Sequence, residues 1–115
     1  MMRDTLFLLK ERFSDGGGDN YFCPHCAEIT GVLTYFPELK DRLDIRTVDF
    51  KRPRAEIVEL LDADHQGCPV LILAGSPPEE AAHLVSGQIK GRFYISGPRE
   101  IARYWSQVYG TARPH

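Results

Sequence analysis

At 115 residues and 13.0 kDa, with 43% hydrophobic and 26% charged residues, the chain has the size and composition of a single globular domain spanning residues 1–115. A net charge of −2 argues against nucleic acid or an anionic membrane as partner, and the longest apolar run, Leu6–Leu9, is far too short to cross a bilayer. The opening Met1-Met2-Arg3-Asp4 lacks the apolar stretch and cleavage site of a signal peptide, so the expectation is a cytoplasmic protein.

Thr5–Leu9 is short and continuously apolar, which predicts a buried strand. Ser14-Asp15-Gly16-Gly17-Gly18-Asp19-Asn20 follows as a flexible connector or a lid, and no Lys-Ser or Lys-Thr comes after the glycines as a phosphate-binding loop requires. Ile29, Val32, Leu33 and Phe36 recur at three- and four-residue spacing, predicting a helix from Pro24 to about Phe36. Pro37 ends or kinks it. Leu43–Phe50 reads as a second strand and Lys51-Arg52-Pro53-Arg54 as a solvated turn. A short helix then carries Ile57, Leu60 and Leu61 on one face.

Asp62, Asp64 and Gln66 read as loop surface, and His65 and His83 have no evident catalytic partner. Val70–Leu73 is a third strand directly after Cys68-Pro69. Gly75–Lys90 is a longer connection with a helical turn over Glu79–Leu84, and Arg92–Ile95 is a fourth strand. The last helix starts at Gly97-Pro98, buries Ile101, Tyr104 or Trp105, and Val108, and stops at Gly110. The order β-α-β-α-β-β-α requires a parallel first pair and most simply gives an antiparallel last pair. The expected architecture is therefore α/β, a four-stranded mixed sheet with helices on both faces.

Cys23-Pro24-His25-Cys26 lies where the first loop hands over to the first helix. Thiols three positions apart on one helical turn have Cα atoms about 5 Å apart, within the range that a disulfide bridges. Pro24 suits the first helical position, where its missing N–H costs nothing. Cys23 then falls at the N-cap, facing free backbone N–H groups and the positive end of the helix dipole. Both favour negative charge on sulfur, the reactive state, and a protonated His25 would add to them.

With this C-P-H-C at the first strand-to-helix junction and a proline opening the third strand, the chain resembles the thioredoxin superfamily, and in particular its compact glutaredoxin-like core. The same core forms the N-terminal domain of glutathione transferases. The stretches Tyr21–Ala27, Phe36–Leu39 and Pro69–Leu73 also resemble a bacterial family of thioredoxin-like proteins without known function. The superfamily resemblance implies Cys23 as nucleophile, Cys26 as resolving thiol and Pro69 as a cis-proline. The backbone before that proline would then pair with an extended substrate. Two departures stand out. The Lys10–Phe22 loop is long, and Cys68 occupies the position before the proline, where a third sulfur would exchange with the other two or perturb them.

The leading expectation is a thiol–disulfide oxidoreductase acting on a disulfide-containing protein or a small thiol substrate. The chemistry needs no cofactor; the glutaredoxin resemblance makes glutathione a candidate co-substrate, its carboxylate near Ser96-Gly97-Pro98-Arg99 where a helix start meets a cation, although a plain helix start is the favoured reading of that turn. A second expectation is a zinc or iron–sulfur site built from Cys23, Cys26 and Cys68 with His25 or His65, short of the second C-x-x-C pair such sites usually have. A third is a binding or scaffold module whose cysteines are idle.

Overall fold

Successive side chains leave a strand on opposite sides, so a strand buried at every position marks a sheet covered on both faces. Thr5 to Leu9 are all buried, as the continuous apolar run requires. A computed structural model describes residues 2–115. In chain order the elements are β1 (Asp4–Leu9), β2 (Phe13–Asp15), β3 (Gly18–Tyr21), α1 (Pro24–Tyr35), β4 (Leu43–Val48), α2 (Ala55–Leu60), β5 (Val70–Ile72), β6 (Gly87–Ile89), β7 (Arg92–Ser96) and α3 (Pro98–Tyr109). Short 3-10 turns cover Pro37–Arg42 and Glu79–Leu84.

The main sheet is mixed and runs β4-β1-β5-β7-β6. β4 lies parallel to β1 with Leu6 opposite Ile45, the crossover through α1 requiring it. β5 is antiparallel to β1 with Leu6 opposite Leu71, and β7 is antiparallel to β5. Both expected pairings, the parallel first pair and the antiparallel last pair, are present.

The strand count differs from the expectation: the sheet has five strands, not four. Gly87–Ile89, inside the stretch read as a connection, pairs with β7 through the two-residue turn Lys90-Gly91. Both turn residues have positive φ, 52° and 77°, which is the backbone that matches the twist of a tight hairpin. A strand of three residues with one clearly apolar side chain leaves almost no alternation to read.

Helix α1 buries Ile29 and Leu33, while Val32 and Phe36 are only half-buried. It stops at Pro37 as expected, with the Phe36 N–H donating to the Val32 carbonyl at 2.9 Å. Both Tyr104 and Trp105 of α3 are buried, and α3 packs against α1 and against β5 and β7. On β7 the successive residues Tyr94 and Ile95 are both buried, with the Tyr94 ring 5.5 Å from His65 in the connection after α2. Gly110, at φ +75°, closes α3 in the left-handed conformation typical of a helix end.

The Lys10–Phe22 segment is more ordered than a connector. β2 and β3 form a hairpin with Asp15 opposite Gly18 and Gly16 at φ +60°. Phe13 anchors it to the body of the protein by stacking on Phe50, rings 4.4 Å apart and nearly parallel at 3°.

Candidate functional site

Helix α1 begins on a sulfur. Cys23 is the N-cap residue, with extended backbone (φ −86°, ψ 109°), and its Sγ accepts the Cys26 N–H at 3.1 Å. Thiolate and thiol both accept such a bond, so the sulfur satisfies one of the N–H groups that a helix start leaves without a partner. Pro24 occupies the first helical position, His25 is exposed, and no carboxylate lies in the first turn to compete for the free N–H groups. One turn on, Cys26 is buried at 5% exposure. Burial, then the hydrogen bond from Cys23, push its thiol up to about 12.

Cys23 itself is partly exposed, and the preceding Tyr21 and Phe22 are exposed aromatics. A cavity of about 300 Å³ opens beside the sulfurs, lined among others by Leu8, Leu9, Phe22, Cys23, Cys26 and Ala27. Its walls are mainly apolar, the kind of surface that holds a side chain flanking a reacting sulfur.

The third strand meets this helix start through a bend. The Cys68–Pro69 peptide bond is cis, Pro69 is buried, and the Cys68 carbonyl lies 4.0 Å from the Cys23 Sγ. On its other side the Pro69 carbonyl accepts the Gly97 N–H at 3.4 Å, so the starts of α1 and α3 both approach the same bend. Cys68 is half-buried. Burial pushes its thiol up to about 11, against the pull of the Arg54 and Arg52 charges nearby. All three thiols are free.

Two residues of this neighbourhood depart from the sequence reading. Arg54, expected in a solvated turn, is buried at 6% exposure; Gln66, expected on a loop surface, is buried at 7%. The Arg54 guanidinium donates to the Phe50 carbonyl at 3.1 and 2.7 Å and to the Gln66 carbonyl at 2.6 Å. The Gln66 side chain in turn accepts the Arg54 backbone N–H at 2.7 Å. The pair ties the loop after β4 to the approach of Cys68, and Arg54 also lies over the Phe50 ring that receives Phe13. Nothing in the run Lys51-Arg52-Pro53-Arg54 separates Arg54 from its neighbours, because its burial is decided by residues twelve positions away.

Other candidates lie apart from the sulfurs. His65 pairs at the surface with Asp62: its ring nitrogen is 2.7 Å from that carboxylate, which holds the carboxyl below its ordinary value. Arg99 is exposed and 4.0 Å from Glu28. At the start of α3 the Glu100 carboxylate reaches back to within 2.9 Å of where a Gly97 Cβ would stand. That carboxylate thus lies beside the helix start expected to meet a glutathione carboxylate. Among the described residues, no three His, Cys, Asp or Glu side chains are grouped to hold a metal ion.

No helix among the described residues is long and apolar enough to cross a membrane. No curated protein and no solved structure matches the chain. A family profile does match, over residues 3–113, and the chain belongs to that family, described as "Protein of unknown function (DUF3088)".

Proposed function

We propose that the chain is a thiol–disulfide oxidoreductase with a thioredoxin-like fold, Cys23 its nucleophile and Cys26 its resolving thiol. The parallel first pair and the antiparallel last pair support the fold half of this reading. One observation carries the chemical half: the partly exposed Cys23 sulfur caps α1, accepting the N–H of a buried Cys26 at 3.1 Å. An attacking thiol needs access and stabilised charge, and a resolving thiol needs shelter one turn away.

In the forward direction the Cys23 thiolate attacks one sulfur of a substrate disulfide. The substrate S–S bond breaks, a Cys23–substrate disulfide forms, and the other substrate sulfur leaves as a thiolate and takes up a proton. Cys26 then loses its proton and attacks the Cys23 sulfur, displacing the second substrate thiol and closing the Cys23–Cys26 disulfide. Two electrons and two protons pass from protein to substrate. Forming the mixed disulfide removes the Cys23 charge, one cause of the high Cys26 pKa, and so eases the second step. The substrate class is a disulfide-containing protein or a small thiol adduct, and a small thiol such as glutathione would restore the dithiol.

The test follows release of a coloured thiol from an aromatic disulfide by the reduced protein. Wild type is expected to pass two electrons per chain, Cys26→Ser to stop at a stable mixed disulfide, and Cys23→Ser to lose the reaction. A Cys23→Ser variant as fast as wild type would remove the proposal.

A further inference from the structure

A second cavity, of about 510 Å³, opens beside the cysteine cavity, and the two share Lys10 and Thr47 in their walls. It lies at the C-terminal end of β4 and along the loop to α2. Lys10, Lys51, Arg52 and Arg54 line it, against the acids Asp49 and Glu56. Both acids are already engaged, Asp49 with Lys10 at 2.7 Å and Glu56 with Arg46 at 3.1 Å. Among the described residues, Lys51, Arg52 and Arg54 have no carboxylate within ion-pairing distance. The groove is thus a local excess of positive charge on a chain whose net charge is −2.

Arg54 is the unusual member. An arginine at 6% exposure loses most of its hydration, which is costly unless a counter-charge or hydrogen bonds replace it. Its protein partners are neutral carbonyls of Phe50 and Gln66. Arg52 and Arg54 both act on the Cys68 thiol, so this positive field extends to the residue before the Pro69 bend, whose carbonyl lies 4.0 Å from the Cys23 Sγ. Thr47 and Val48, in the groove wall, belong to β4, an edge strand with no neighbour on its outer side. An open strand edge offers backbone groups to an extended chain.

We propose that this groove binds an acidic segment of an extended polypeptide whose disulfide is presented to Cys23. The inference rests on the oxidoreductase reading and names its substrate class: a protein with carboxylates a few residues from the target cysteine. The reduced dithiol supplies both electrons, leaving a Cys23–Cys26 disulfide and two released thiols.

The experiment uses short peptides carrying one cysteine as a mixed disulfide with thionitrobenzoate, followed by a run of Glu, Gln or Lys. At low salt the reduced protein is expected to react with the Glu peptide about tenfold faster than with the Gln peptide, and slowest with the Lys peptide. The advantage should vanish near about 0.5 M salt, where charges are screened within a few Å. It should also vanish in a Lys51→Gln/Arg52→Gln double variant whose circular dichroism matches wild type. Equal rates for the three peptides overturn the groove and leave the redox reading standing. The mixed disulfide of glutathione with thionitrobenzoate reacting as fast as the Glu peptide overturns the polypeptide occupant. If no disulfide reacts, the redox reading falls, and binding of cysteine-free peptides by fluorescence anisotropy decides the groove. Tighter binding of the Glu peptide upholds it, and equal binding overturns it.

Discussion

Helices α1 and α3 start with the same grammar and end with opposite chemistry. Each has twelve residues and a proline at the first helical position, and each approaches the bend at Pro69. At α1 the cap is a sulfur, the first turn has no acid, and the free N–H groups act on Cys23. At α3 the cap is Gly97 at φ +95°, with no side-chain cap, and Glu100 folds back over it. The two starts are thus filled differently: a sulfur takes the cap of one, and a carboxylate lies beside the cap of the other. On the proposed function, a helix start free of acids with a nucleophile at its cap is what separates α1 from α3.

The largest expected effect concerns the two thiols of α1. With the Cys26 thiol at about 12, only about one molecule in ten thousand carries its thiolate at pH 8. Iodoacetamide should therefore modify Cys23 at least about a hundredfold faster than Cys26 in the reduced protein. Peptide mass mapping of a time course reads this directly. Cys26 modification should rise about tenfold per pH unit until its own titration is reached.

Stability comes next. Arg54→Met leaves the Phe50 and Gln66 carbonyls without their donors, and about 2–4 kcal/mol of unfolding free energy should be lost, read by urea titration. A pH dependence follows from Cys26 as well. The unfolded chain releases this proton near 9.0 and the folded chain near about 12, so folding favours the protonated thiol. The contribution is complete below pH 9 and is lost as the pH rises toward 12. Reduced wild type should weaken over that window more steeply than Cys26→Ala, compared by urea midpoints at successive pH values.

The smallest effects test the comparison itself. His25→Glu puts an acid into the first turn of α1, as Glu100 does in α3, and Cys23 alkylation should slow about three- to fivefold. Glu100→Gln should cost about 0.5 kcal/mol of stability through α3 and leave Cys23 alkylation unchanged. Equal alkylation rates in His25→Glu and wild type would break the account of why one start is reactive.

What the sequence revealed divides along the range of the forces involved. The start of α1 was legible because Cys23, Pro24 and Cys26 interact within one turn, and proline at the first position leaves little choice of cap. β1 was legible because burial on both faces demands an unbroken apolar run. β6 was not: its three residues gain their partner only through Lys90-Gly91, a turn with a lysine where Asn or Asp would have signalled it. The β2–β3 hairpin did carry a signal, the two-residue turn Gly16-Gly17 between Asp15 and Gly18, but a run of three glycines among polar residues reads equally as a flexible connector. Arg54 and Gln66 left no local trace, since the bonds that join them span twelve positions of sequence.

The account stands most directly on the oxidation state of the paired thiols in a glutathione redox buffer, mapped after acid quench and differential alkylation. It predicts a single protein disulfide, between Cys23 and Cys26, appearing cooperatively as the buffer becomes more oxidising, with Cys68 still free. Thiols that stay reduced throughout, or a Cys26 that is alkylated before Cys23, would contradict it.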